Sequence, residues 1–506
     1  MDWRTSFRFP EILVRAVNPC GALPRRLSDA LNPLTGQGRP IDAARFLHTV
    51  GTDRLMVIDQ RLRGYLSLAY CTWPSDTLRC IVTCPMSEEA RQSLLFVACS
   101  HRDGREREKA VGHLGEFPGS LTLAAALIRS VDWVPQVRSA ARDAVVRMLR
   151  TCAIDDVVAV WPIVLQLQHR ERSTDGWLAE KVEGWAFASA SDGFLCRARQ
   201  AGGPDVRVWA YRKSLERGET SLLPQALMQP DPRIGLHALR HAQATLDARS
   251  MGALAASGLR APHPVVRREG LRALAAVDVV AARAALPAAL LDRSAGVRRL
   301  AAYLARQGGA DARATWRAAL DRPAAQAHAG ALASLAEDPQ EEDAARFRRC
   351  LPETRSVVRQ HALKGLLRIG QPIPPEVVGQ QLQLGGGRVL ATLAAAVRDS
   401  AIVIDPSLVR GILADPEVED DGRVRLIGLL GFAGLWAGLK LLLAARTGDV
   451  DRQWWLAAID DWIGRSETYA PLSDMRKRAL LDATTERAAE LGPTRVSQIQ
   501  AALLRH

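Results

Sequence analysis

One short pattern recurs along this chain, and it leaves few folds open. It is seen in DWVPQVRSAARDAVVRML from 132, APHPVVRREGLRALAAV from 261, DRSAGVRRLAAYLARQGG from 292 and PETRSVVRQHALKGLLRIG from 352. Each copy has a turn rich in Asp, Pro or Gly, then an aliphatic residue followed by Arg. A small residue stands four positions after the aliphatic, and an apolar one follows at seven or eight. That spacing marks one face of a helix.

Sliding the template along the sequence gives twelve anchors: Glu106, Val137, Trp177, Val206, Ile234, Val266, Val297, Ala325, Val358, Gly387, Val424 and Arg452. They are separated by about 31 residues on average. At the fourth position after the anchor stand Ala110, Ala141, Ala210, Ala238, Gly270, Ala301, Ala329, Ala362, Ala391 and Gly428, with Lys181 and Leu456 the departures. A small side chain there lets neighbouring helices approach, while the aliphatics fill the space between layers. A unit this short cannot bury its own apolar face and must stack on its neighbours. Second helices are expected at 280–292, 310–321 and 341–352, and the Asp-Pro pairs at 231, 338, 405 and 415 suit helix N-caps followed by proline.

These D-x-x-x-VR-x-x-A-x-x-x-L units resemble HEAT-like repeats of the bacterial type also seen in phycobilisome-lyase-like proteins. The resemblance covers roughly 101–466 and implies an all-α HEAT-like α-solenoid of helix pairs with atypical helical ends. The block FLHTVGTDRLMVIDQRLRGYLSLA, followed by the array, also resembles an uncharacterised proteobacterial HEAT-repeat family with members encoded near type VI secretion components. That likeness implies an adaptor role and brings no catalytic residue with it.

The expected organisation is an N-terminal helical cap over 1–100, a repeat array over 101–466 and a C-terminal helical cap over 467–506. Within the first part, 32–40 reads as loop, and 41–70 and 87–100 read as helices. Near the other end, Ser473 caps a helix reaching about Leu491, and Gly492-Pro493-Thr494 starts the last one. The apolar stretch Leu426 to Leu439 is long enough to invite a membrane reading. Gly431-Phe-Ala-Gly434 interrupts it, so two buried helices joined by a turn are expected, with no membrane span. The first twenty residues carry scattered charges and no apolar core, unlike a secretory signal. The eight cysteines form no Cys-x-x-Cys pair, and Cys80 and Cys84 lack the second pair a zinc site needs. Free thiols in a cytoplasmic protein are expected.

The formal net charge is +12, and all but six of the 67 cations are arginine. The Arg that follows the anchor (107, 138, 207, 267, 298, 359, 388 and 425) has two readings. It is either a ribbon that binds phosphates or a ladder in which each guanidinium pairs with an Asp or a carbonyl of the adjoining turn. The ladder is the expectation. A nucleic-acid binder, such as a DNA glycosylase-like enzyme on HEAT-like repeats, remains the alternative. Against it, the acidic runs at 337–343 and 415–421 interrupt the cations of the second helices.

Signals of chemistry are sparse. His237 and His241 stand one helical turn apart, but Ala238 occupies the place where a metalloprotease-like motif has glutamate. Gly385-Gly386-Gly387 lacks the Lys-Ser/Thr of a phosphate loop and reads as a turn. Trp455 and Trp462 share a helix face, from which Trp454 turns away.

The sequence therefore points to a protein-binding scaffold or adaptor without catalysis or cofactor. Its partner is expected to be another protein, with nucleic acid the lesser alternative. The expected contact residues are Arg313, Trp316, Arg317, Arg346 and Arg349, on second helices of neighbouring repeats.

Overall fold

The computed structural model describes residues 47–68, 77–83, 87–168, 170, 175–188, 192–321, 328–415, 418, 420–445, 452–467 and 470–505. Among them the regular structure is entirely helical. The chain divides into two compact units, Met1–Thr245 and Leu246–His506.

In the first unit the helices are α1 Thr52–Leu68, α2 Thr77–Thr83, α3 Glu88–Ala98, α4 Gly104–Leu114, α5 Ser120–Arg129, α6 Pro135–Met148 and α7 Ile154–Leu167. They continue with α8 Gly184–Phe187, α9 Asp192–Ala201, α10 Pro204–Glu216, α11 Leu223–Leu227 and α12 Pro232–Thr245. Consecutive helices pack as pairs, and each pair also lies on the next: α4 on α5 and α6, α5 on α7, α7 on α9, α10 on α12. The small residues do what their spacing implies, since Ala110, Ala141, Ala210 and Ala238 are completely buried. A π-helical segment, Leu178–Glu183, follows the Trp177 anchor. Lys181 stands there at the fourth position, where a small residue is otherwise found.

The second unit runs through α13 Ala248–Gly258, α14 Pro264–Val277, α15 Val279–Leu290, α16 Ala295–Gln307, α17 Ala312–Leu320, α18 Ala329–Glu337, α19 Ala344–Arg349 and α20 Ser356–Ile369. Then come α21 Pro375–Leu384, α22 Gly387–Arg398, α23 Pro406–Ala414, α24 Asp420–Leu430, α25 Leu435–Ala444, α26 Arg452–Arg465, α27 Asp474–Glu486, α28 Ala488–Leu491 and α29 Pro493–Leu504. The first helices stack in order, α14 on α16, α16 on α18, and so on to α26. Each buried anchor valine, such as Val266, Val297 or Val358, contributes roughly 1.5–3 kcal/mol by leaving water. The fold is thus an all-α solenoid of helix pairs.

The expected turn within 426–439 is present, between α24 and α25. Gly434 sits at φ 104°, in the left-handed region. At Gly438 a Cβ would lie 2.9 Å from the carbonyl oxygens of Leu430 and Gly431, so only glycine permits that approach. No helix among the described residues is long and apolar enough to cross a membrane. Trp455 and Trp462 are fully buried and donate from Nε1 to the carbonyls of Leu442 and Leu435, both at 2.7 Å, which ties α26 to α25. Trp454 is exposed.

Two expectations need correction. The template register fails near the end of the array: Ala391 and Gly428 are exposed. The buried faces there carry Val389, Leu390 and Leu393 in α22 and Leu426, Ile427 and Leu430 in α24. Of the four Asp-Pro pairs, Asp405 caps α23 by accepting from the Ser407 amide, and Asp231 accepts from the Arg233 amide as α12 begins. Asp338 and Asp415 instead close the preceding helices α18 and α23. The 32–40 loop, the Cys80 and Cys84 side chains and the Ala325 anchor lie outside the described residues.

Candidate functional site

The recurring arginine forms a clamp. Arg107 donates from Nη1 to the carbonyls of His101 and Arg102, both at 2.9 Å, and from Nε and Nη2 to Asp132. Arg267 repeats this with the carbonyls of Ala261 and Pro262 and with Asp292, 25 residues on. Arg298 takes the carbonyls of Asp292 and Arg293 and the Ser334 hydroxyl. Arg359 takes those of Glu353, Thr354, Leu384 and Gly385. Arg138 and Arg207 each bond one turn carbonyl, of Asp132 and Gly202. The planar fork satisfies unpaired carbonyls of its own turn and reaches the next layer. Arg107, Arg267, Arg298 and Arg359 are buried, so these four offer phosphate no ribbon. Arg388 and Arg425 depart from the ladder: both are exposed, and Arg425 pairs with Asp421 of its own helix at 3.0 Å.

The five expected contact residues do come together, on α17 and α19. Asp311 caps α17 by accepting from the Arg313 amide at 2.8 Å, which fixes the helix start. Arg313 then bonds Asp338 at 2.7 Å and Asp343 at 3.2 Å, while Arg317 bonds Asp343 and Glu342, both at 2.7 Å. Arg346 grips Asp321 through two bonds, at 2.9 and 2.8 Å. Arg349 donates to the Leu320 carbonyl at 2.8 Å and to Asp321 at 3.3 Å. Four guanidiniums meet four carboxylates, so the cluster is neutral. Burial pushes the Asp343 carboxyl up, but the Arg317 and Gln340 hydrogen bonds and the adjacent cations override it and hold it below the usual carboxylate value. Trp316 is half-buried and donates from Nε1 to the Leu290 carbonyl at 2.9 Å.

Trp316 and Arg313 also form one wall of a cavity of about 410 Å³. Its other walls are Arg299, Ala302 and Arg306 of α16 and Ser334 and Glu337 of α18. Arg299 pairs with Glu337 at 3.0 Å, and Arg306 has no carboxylate within ion-pair distance among the described residues. The repeat template drew no attention to Arg306, which lies beyond the helix face it scores.

His237 and His241 lie ring to ring, with centroids 6.4 Å apart. Burial lowers the His237 pKa. Among the described residues no three His, Cys, Asp or Glu side chains are grouped to hold a metal ion.

The first unit contains a site the sequence reading missed. Asp59 and Arg63 of α1 meet Arg107, Arg129 and Asp132 beside a cavity of about 460 Å³. Its lining includes Met56, Gln60, Arg102, Ile128, Trp133 and Leu167. The only sequence signal was a density of Arg and Asp in segments distant from one another.

Fold and clamps together define a repeat protein built of stacked helix pairs. No family model matches the chain, and no curated protein does. Among solved structures, importin beta crystallised in a polyethylene glycol condition is 14% identical, with a TM-score of 0.32, covering 99% of this chain and 83% of that one. Importin beta in an ammonium sulfate condition is 13% identical, with a TM-score of 0.33, covering 95% and 67%. An engineered protein is 16% identical, with a TM-score of 0.17, covering 90% and 98%. The packing of this chain's own helices defines its fold class.

Proposed function

We propose that this chain is a non-catalytic scaffold or adaptor that binds another protein along its helix stack. Arg313, Trp316, Arg317, Arg346 and Arg349 are at the contact. The observation that carries this reading is the cleft beside α17. There a half-buried indole, already oriented by its bond to Leu290, stands opposite an arginine without an internal carboxylate. A fixed aromatic beside a guanidinium is the kind of anchor that dominates protein interfaces. A stack of short helix pairs also offers a long surface with few loops.

The finer assignment draws on sequence likeness. The repeats resemble the phycobilisome-lyase type, and the N-terminal block resembles a family encoded near type VI secretion components. An adaptor role in a cytoplasmic assembly of that kind follows, with 1–100 and 467–506 serving as caps that cover the ends of the array.

The test is affinity capture from the native host with the full chain, identification of bound proteins by mass spectrometry, and re-binding with the purified candidate. Replacing Trp316 and Arg317 with Ala should weaken that binding at least tenfold while circular dichroism stays unchanged. Arg349→Ala, at the most exposed of the four cluster arginines, serves as a milder variant. Undiminished binding by both variants removes these residues from the interface.

A further inference from the structure

The clamp at Arg107 differs from its counterpart at Arg267 in a way that packing does not explain. At Arg267 one guanidinium meets one carboxylate, Asp292, and the charges cancel. At Arg107 the same clamp is enlarged. Arg129 bonds Asp132 at 3.0 Å and also Asp59, whose other oxygen accepts from the Ser100 hydroxyl at 2.7 Å. Arg63 approaches Asp132 only to 4.0 Å. Both Asp132 oxygens are by then engaged by Arg107 and Arg129. Three guanidiniums therefore share two carboxylates, Asp59 and Asp132, and all but Arg63 are nearly inaccessible to water.

The excess positive charge faces a cavity. Arg63 and Arg102 line it, and Arg102 has no ion-pair or hydrogen-bond partner for its side chain among the described residues. The remaining walls set Met56, Ile128, Val131, Leu167 and the ring of Trp133 beside the polar Asp59, Gln60 and Arg170. Trp133 is 57% exposed, yet the Arg107 guanidinium lies 5.8 Å from its ring centroid and helps hold it at the rim. Burial, and then the Arg129 cation, outweigh the pull of Asp132 and Asp59 and keep the Arg63 guanidinium below its ordinary pKa. An uncompensated cation in a partly dry site is costly unless an anion meets it.

We propose that this cavity binds a carboxylate carried on an apolar body, the chemistry of a peptide's C-terminal residue. The Arg63 and Arg102 forks receive the carboxylate, and Met56, Ile128, Val131, Leu167 and Trp133 receive the apolar part. A volume of about 460 Å³ suits one or two residues of that kind. This site is independent of the α17 and α19 contact residues.

The test uses the full chain and four probes, followed by ligand-observed NMR titration: N-acetylleucine, its amide, acetate and inorganic phosphate. N-acetylleucine should bind at least tenfold more tightly than the uncharged amide and than acetate. Arg63→Gln and Arg102→Gln should each weaken it at least fivefold, while Arg410→Gln, at an exposed position in the other unit, leaves it unchanged. Arg63→Gln keeps the Arg107 and Arg129 bonds to Asp132, and an unaltered thermal midpoint will confirm that it folds. Equal binding of acid and amide overturns the proposal. So does undiminished binding by both glutamine variants. Phosphate competing at lower concentration than N-acetylleucine would overturn the carboxylate assignment.

Discussion

The guanidinium of Arg267 and the carboxylate of Asp292 face each other through two parallel bonds of 2.8 Å, while the same arginine holds two carbonyls of its own turn. One side chain thereby closes its own layer and fastens the next. The same 25-residue reach joins Arg107 to Asp132.

Removing one partner should be expensive. With side-chain exposures of 7% and 15% the pair is largely out of water. Asp292→Ala leaves Arg267 without its counter-charge and should cost about 3 kcal/mol, the scale for breaking a buried pair. A shift of the urea midpoint measures it.

The clamp also predicts an acid limb. Burial pushes the Asp292 carboxyl up, but the Arg267 and Ser294 hydrogen bonds and nearby cations outweigh it and leave the pKa below the ordinary value. A carboxyl depressed in the folded state stabilises above its unfolded pKa, about 3.9, and that stability is lost as pH falls through the folded value. Stability should therefore decline below about pH 4. Asp292→Asn should flatten that decline in urea titrations run at successive pH values.

Two glycines at the same template position should respond oppositely to alanine. At Gly270 a Cβ would lie 3.1 Å from the Ala255 carbonyl oxygen and 3.1 Å from the Gly258 carbonyl carbon, both backbone atoms. Gly270→Ala should cost about 1–3 kcal/mol through overpacking. Gly428 is helical, with nothing within 4 Å of the added carbon. Gly428→Ala should stabilise by about 0.5–1 kcal/mol. Thermal midpoints of the two variants decide both.

At Trp455, replacement by Phe keeps most of the ring but removes the bond to the Leu442 carbonyl. The expected cost is about 1–3 kcal/mol, because a buried hydrogen bond is lost and the smaller ring leaves part of the indole's space empty. Trp454→Ala, at an exposed position, should change stability by less than about 0.5 kcal/mol. Hydrogen exchange in α25 and α26 should show the same contrast.

The repeat was legible because its signals are local. An alanine four residues after a valine shares its helix face, and Arg107 reaches carbonyls only five and six residues back. The acid that completes the clamps of Arg107 and Arg267 was harder to see, since Asp132 and Asp292 belong to the following unit. The register slipped at Gly387 and Val424 because small residues at Ala391 and Gly428 satisfied the template without facing the core. The neutrality of the α17 and α19 cluster was not legible either. Arg313 and Arg317 were visible as cations, but Asp343 reads in sequence as one member of an acidic run. The Arg63 cavity escaped because it combines a helix outside the array with side chains from two repeats.

The clamp also has a consequence for how such a chain can change in length. A guanidinium has a fixed reach, so adding one residue between Arg267 and Asp292 would pull the fork from its acceptor. Duplicating or deleting a whole helix pair would bring in, or take out, a donor together with its acceptor. Growth by entire modules, and intolerance of odd insertions inside them, is built into the geometry of a single side chain.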